Sequence, residues 1–233
     1  MQDTTDPSQS PTADVDAFVA NLPLLHTWDH GKTWNSGGFE QKQFDSLRAF
    51  FDRHLLDQRR IIETGCGNST IFFLLTSPTS VVSIDPEESI YCRVLDYCNK
   101  NRISSDRHEM HINHSELVLP KIAEVRKRQF DFALIDGNHG WPTVFVDFWY
   151  CNMLVRKGGF VMLDDVQLHS VKELARFLAE EPSFAIVLDL GKALVFEKNT
   201  DEIMTREWLE QPYIARLSDE YQKWRNPNSL FDE

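Results

Sequence analysis

The sequence predicts an α/β fold: a doubly wound, mostly parallel sheet with helices on both faces. Three observations carry that expectation. Strand-like apolar runs alternate with helical patterns five times and end in a hairpin. A Gly-x-Gly turn, Gly65-Cys66-Gly67, joins the first of those strands to its helix. Acids (Glu63, Asp85, Asp136, Asp164 and Asp165) fall at strand ends, where open sheets of this kind bind ligands.

Length and charge bound the function. A chain of 233 residues suits one domain with additions. Its hydrophobic fraction of 42% and charged fraction of 26% are those of a globular protein. A net charge of −12 argues against a general nucleic-acid or anionic-membrane surface. Residues 1–13, rich in Thr, Asp, Ser, Gln and Pro, read as a disordered tail without a leader, which points to the cytoplasm. Cys66, Cys92, Cys98 and Cys151 make no Cys-x-x-Cys pair and read as reduced thiols.

Residues 14–40 read as a short helix over Val15–Leu22 and a loop containing Trp28, His30 and Trp34, which either covers a cleft or packs on the core. The main domain is expected over 41–198. Its first helix carries Phe44, Leu47, Phe51 and Leu55 at helical spacing. Ile61-Ile62-Glu63 forms the first strand, and Ser69 and Thr70 open the helix after the turn. Free N–H groups at that helix start, and glycines that admit a ligand close to the backbone, make Gly65, Cys66, Gly67 and Ser69 candidate cofactor contacts. Position 70 would be glycine in a dinucleotide fingerprint, and Thr70 stands there; Glu63 would repel a pyrophosphate but suits a cationic or hydroxyl-bearing ligand.

Val81 to Ile84 forms the second strand, and Asp85 lies about twenty residues past the first glycine, the separation of a ribose-binding acid. Asp85 could also cap the next helix, with Pro86 at its first position. Glu109–Asn113 reads as the third strand; Ser115 beyond it either contacts the cofactor or caps a helix running toward Arg128. Phe130–Ile135 is the fourth strand, followed by a largely apolar helix from Pro142, which Lys157-Gly158-Gly159 should end. Phe160–Leu163 is the fifth strand, and Ser170 to Glu173 reads as a capping box. Phe184–Leu190 and Ala193–Glu197, joined by Gly191-Lys192, form the hairpin. Residues 199–233 form a C-terminal extension, helical in part through Ile214, Leu217 and Tyr221, which packs on the core or on a second subunit of a homodimer.

Asp136, Asp164 and Asp165 come from adjacent strand ends. Carboxylates brought that close repel unless a cation is present, and oxygen ligands in this number suit Mg²⁺. The plainer alternative is that they cap turns.

The turn at 63–70, Leu134-Ile135-Asp136-Gly137-Asn138-His139, and Leu154–Val166 with its Gly-Gly and Asp-Asp pairs resemble the methyltransferase 24 family of class I S-adenosylmethionine-dependent methyltransferases. They are also similar to metal-dependent O-methyltransferases of catechols and sugars. The resemblance covers about Gln41 to Lys198. It implies a Rossmann-like seven-stranded sheet of order 3-2-1-4-5-7-6 with one antiparallel strand. It also implies S-adenosylmethionine at Glu63, Gly65, Cys66, Gly67, Ser69, Asp85, Ser115 and Asp136, and Mg²⁺ or another divalent cation at Asp136, Asp164 and Asp165. The implied reaction is O-methylation of a small hydroxylated molecule such as a sugar, a catechol or a related diol. Catechol-type relatives place a lysine base where His139 stands, and sugar-type relatives an acid where Asn138 stands. Asn138 cannot act as a base, whereas the His139 imidazole can accept a proton near neutral pH or make a structural hydrogen bond. Two alternatives stay open: a metal-independent N- or O-methyltransferase, and a cofactor-binding protein without turnover.

Overall fold

The computed structural model describes residues 11–28, 31–54 and 59–223. The remainder of the expected tail at 1–10, His30, Leu55 and the chain beyond 223 lie outside the described residues. The chain opens with α1 (Pro11–Ala20), which begins inside the stretch expected to be disordered, and a two-stranded antiparallel unit, β1 (His26–Trp28) and β2 (Thr33–Asn35), where the sequence suggested only a loop. The main body follows as α2 (Gln41–His54), β3 (Arg60–Thr64), α3 (Asn68–Leu75), β4 (Ser80–Ile84), α4 (Glu88–Lys100), β5 (His108–His111), α5 (Ser115–Val125), β6 (Phe130–Ile135), α6 (Thr143–Leu154), β7 (Val155–Leu163), α7 (His169–Glu180), β8 (Phe184–Asp189) and β9 (Leu194–Lys198). A last helix, α8 (Pro212–Lys223), packs Tyr213 against Phe177 of α7. No described helix is long and apolar enough to cross a membrane.

The seven-stranded sheet runs β5-β4-β3-β6-β7-β9-β8. Counted from β3 as the first strand, this is the expected order 3-2-1-4-5-7-6, and β9 is the strand antiparallel to both neighbours. Side chains alternate across the strands, as the two-residue period requires. Ile61, Val81, Phe132, Leu134 and Met162 face the core under α1 to α4, while Ile62, Val82, Ala133, Ile135 and Leu163 face the one under α5 to α7. Burial on both faces explains why these strands read as continuous apolar runs. On the first face, Phe51 lies 4.9 Å from Phe132, edge to face, and 5.9 Å from Phe73 in a stacked pair.

Three local expectations are corrected. Lys157-Gly158-Gly159 does not end α6; the helix stops at Leu154 and all three residues lie in β7. The buried ammonium of Lys198 donates to the carbonyls of Asn152 and Val155 at that helix end, a cationic cap drawn from a distant strand. Ser170 does not cap α7, whose cap position is Leu168; its hydroxyl instead donates to the His139 carbonyl. Asp85 is not the cap of α4, which begins at Glu88 after Glu87.

The register fixes the site. Thr64 pairs with Ile84 on one side and Ile135 on the other, and Ile135 pairs with Leu163. The next residue on each strand therefore stands in one row at the carboxyl edge: Asp85, Gly65, Asp136 and Asp164. Backbone bonds hold that row level, Gly65 N–H to Ile84 O at 2.9 Å, Asp136 N–H to Thr64 O at 3.1 Å and Asp164 N–H to Ile135 O at 3.1 Å. Strand order reverses between β3 and β6, so the row straddles the switch point at which such sheets bind ligands.

Candidate active site

A cavity of about 770 Å³ opens along this row. Gly65, Cys66, Gly67, Ser69, Asp85, Ser115, Asp136, His139, Asp164 and Asp165 all line it. Of the residues singled out from the sequence, Glu63 alone does not.

Glu63 is fully buried beneath the turn, where its carboxylate accepts three hydroxyls: Ser69 at 2.7 Å, Thr70 at 2.5 Å and Ser83 at 2.6 Å. Thr70 Oγ1 in turn accepts the Gly67 N–H at 3.0 Å. One acid thus ties β3, β4 and the start of α3 into a single turn conformation. Burial pushes its pKa up to about 7 against the pull of those hydroxyls. Gly65 has a positive φ of 97°, and a Cβ there would stand 2.6 Å from the Asp136 carbonyl oxygen, so only glycine fits. The Cys66 thiol is raised by burial, which makes it an inert wall of the cavity. Asp85 Oδ1 accepts the Glu87 N–H at 2.7 Å, and burial raises its pKa. It keeps a face on the cavity. Ser115 is buried at the start of α5, whose cap position is His114.

The N-terminal segment, for which the sequence left cleft-covering and core-packing readings open, supplies one wall. His26, Thr27 and Asn35 to Phe39 line the cavity opposite the turn. Asn68 Nδ2 donates to the carbonyls of Pro23 at 3.0 Å and Ser36 at 2.6 Å, and Arg93 Nε donates to Leu25 O at 2.6 Å. The imidazole of His26 is pressed so close to the turn that a Cβ on Gly67 would lie 2.6 Å from its Nε2. Burial, helped by the Arg93 charge, lowers the His26 pKa and keeps that ring neutral.

At the other end of the cavity the three aspartates converge. Burial and then the charge of Asp164 raise the Asp136 pKa well above the usual carboxylate range. His139 stands between two of them, Nε2 3.6 Å from Asp136 Oδ1 and Nδ1 3.6 Å from Asp165 Oδ2. Its Nε2 is buried and makes no hydrogen bond among the described residues. The same is true of Asp164 Oδ1, on a side chain only 1% exposed. Lys192, from the hairpin turn, places Nζ 3.2 Å from Asp164 Oδ2 and 3.4 Å from Asp165 Oδ1. No local pattern marks this lysine, because the β8–β9 hairpin is far from Asp164 along the chain.

The donor chemistry suits a hard divalent cation: carboxylate oxygens from three residues, one of them buried without a partner. Their arrangement differs from that of a formed site. Among the described residues no group of three or more His, Cys, Asp or Glu side chains stands ready to hold a metal, and the ammonium of Lys192 lies against two of the carboxylates.

Residues 62–166 match the model of a methyltransferase domain, Methyltransf_24. No curated protein matches the sequence at a significant level. Among solved structures, the O-methyltransferase TomG from Streptomyces achromogenes, involved in tomaymycin synthesis and in complex with SAM, is similar at 18% identity and a TM-score of 0.59, covering 84% of this chain and 92% of its own. An O-methyltransferase from Bacillus cereus in complex with SAH is similar at 20% identity and a TM-score of 0.55, covering 84% and 94%. A putative caffeoyl-CoA O-methyltransferase from Staphylococcus aureus is similar at 13% identity and a TM-score of 0.56, covering 83% and 93%. These structural likenesses are likenesses of fold. Residues 62–166 thus match the methyltransferase 24 domain model, and the sheet has the strand order of the class I S-adenosylmethionine-dependent methyltransferase fold.

Proposed function

We propose that the enzyme methylates a hydroxyl of a small molecule, such as a sugar, a catechol or a related diol, with help from a divalent cation. The observation that carries this reading is the convergence of Asp136, Asp164 and Asp165 beside the glycine turn in one cavity, with an unsatisfied, buried Asp164 oxygen among them. Oxygen as the acceptor is also favoured by TomG and the Bacillus cereus protein, both O-methyltransferases.

In this reading the turn at Gly65 to Ser69 receives the S-adenosyl cofactor, Asp85 takes the ribose hydroxyls, and Ser115 lies toward the base. Glu63 acts from below, by fixing the turn. The cofactor supplies a methyl group on a positively charged sulfur. A divalent cation held by Asp136, Asp164 and Asp165 would supply charge that lowers the pKa of the acceptor hydroxyl. His139 takes the hydroxyl proton at Nε2, with Asp136 and Asp165 flanking its ring. Transfer of that methyl group would require the acceptor oxygen to lie in line with the carbon–sulfur bond. His26, Asn35 and Phe39 exclude water from that line of attack and contribute orientation, which supplies much of such rates.

The test is methyl transfer to a panel of diols, catechols and sugars, followed by mass spectrometry. Activity should vanish with EDTA and return with Mg²⁺. In Asp164→Asn it should fall by about 100-fold or more, the scale of losing several kcal/mol of charge stabilisation. Full activity in EDTA and in Asp164→Asn would remove the metal from the mechanism.

A further inference from the structure

We propose that Lys192 is a tethered rival for the cation at the aspartate cluster, its ammonium holding the carboxylates that a divalent ion would take and so setting how tightly that ion binds. The inference rests on the metal-assisted reading above.

Lys192 is held in place by its backbone. Gly191 before it has a positive φ of 84°, and Leu190 N–H closes the turn on Ala193 O at 2.9 Å. The Lys192 carbonyl accepts the Val166 N–H at 2.8 Å, which fixes the hairpin tip beside the segment that carries Asp164 and Asp165. From there Nζ reaches one oxygen of each aspartate, at 3.2 and 3.4 Å, and rests 5.1 Å from the Phe39 ring centroid. The side chain is 25% exposed, so the pair with the fully buried Asp164 is shielded from solvent on one side. Asp164 thus has one oxygen on Lys192, while the other, Oδ1, is buried and takes no N–H or hydroxyl donor among the described residues.

An ammonium and a divalent ion sharing one carboxylate pair repel one another strongly at such separations. Cation entry therefore displaces Nζ, and the affinity measured for the ion is reduced by the ion pairs it must break. Lysine suits this role, since its flexible four-carbon stem can withdraw while its backbone stays in the hairpin.

The test is Mn²⁺ binding, followed by electron paramagnetic resonance, to the full-length wild type, Lys192→Met and Lys192→Arg, with no methyl acceptor present. Lys192→Met keeps the aliphatic stem and should bind Mn²⁺ about tenfold or more tightly than wild type; Lys192→Arg, which keeps the charge, should stay near wild type. Equal affinity in all three proteins, or weaker binding in Lys192→Met, would overturn the rivalry and leave the metal reading intact. Absence of Mn²⁺ binding at millimolar concentration in every protein would overturn both.

Discussion

Glu63 shows how one buried carboxylate can set the glycine turn from beneath the cavity. Its three hydroxyl partners come from α3 and β4, so its position decides where Gly65 to Ser69 lie. Because burial raises its pKa in the folded protein to about 7, the folded state holds a proton that the unfolded chain has already lost. A raised carboxylate contributes stability in full below its unfolded pKa and loses it as pH rises through the folded value. Between about pH 4.5 and 7 the wild type should therefore lose about 3 kcal/mol relative to Glu63→Gln, whose amide does not titrate. Urea unfolding at several pH values checks this, and parallel pH curves for the two proteins would contradict it. The acid itself was legible in the sequence from its place before the glycines. Its role was not, because Ser83 joins it only through the β3–β4 register, twenty residues away along the chain.

At the scale of elements, the N-terminal unit behaves as a wall of the site. The sequence left two readings open for the Trp28–Phe39 stretch, a cover for a cleft or packing on the core. Phe39 is buried in the core, while Asn35 to Gly38 face the cavity. Periodicity could not separate these uses in a stretch this short and rich in glycine. Asn68 is the fastening, with one side-chain amide serving two carbonyls of that unit. Asn68→Ala should cost about 1–2 kcal/mol, since both carbonyls lose their donor. It should also speed amide exchange across 23–39 and weaken S-adenosylhomocysteine binding several-fold. Unchanged exchange there would show that the unit is held by its apolar contacts alone. The helix boundaries read less well for a similar reason: Lys198 caps α6 and Ser170 serves His139, and both are contacts between segments distant in sequence.

For the whole molecule, what was legible followed from local pattern repeated along the chain. Alternating strands and helices, the closing hairpin and the acids at strand ends were enough for a mostly parallel sheet and the edge where its acids gather, while the strand order came with the family resemblance. Lys192 and His26 were not, because each reaches the cavity only after a strand has been laid against a neighbour. The sheet explains why one cavity can serve two tasks. The register of β3, β4, β6 and β7 levels Gly65 with Asp85 on one side and with Asp136 and Asp164 on the other. Glycine turn and acidic cluster are then neighbours by construction. The most direct test of that claim is calorimetric titration of S-adenosylhomocysteine into the wild type and Asp85→Ala. One site per chain is expected in the wild type, and binding at least about tenfold weaker in Asp85→Ala, the loss of a hydrogen bond to a charged group. Absence of heat and of any thermal stabilisation at millimolar ligand in the wild type would contradict it.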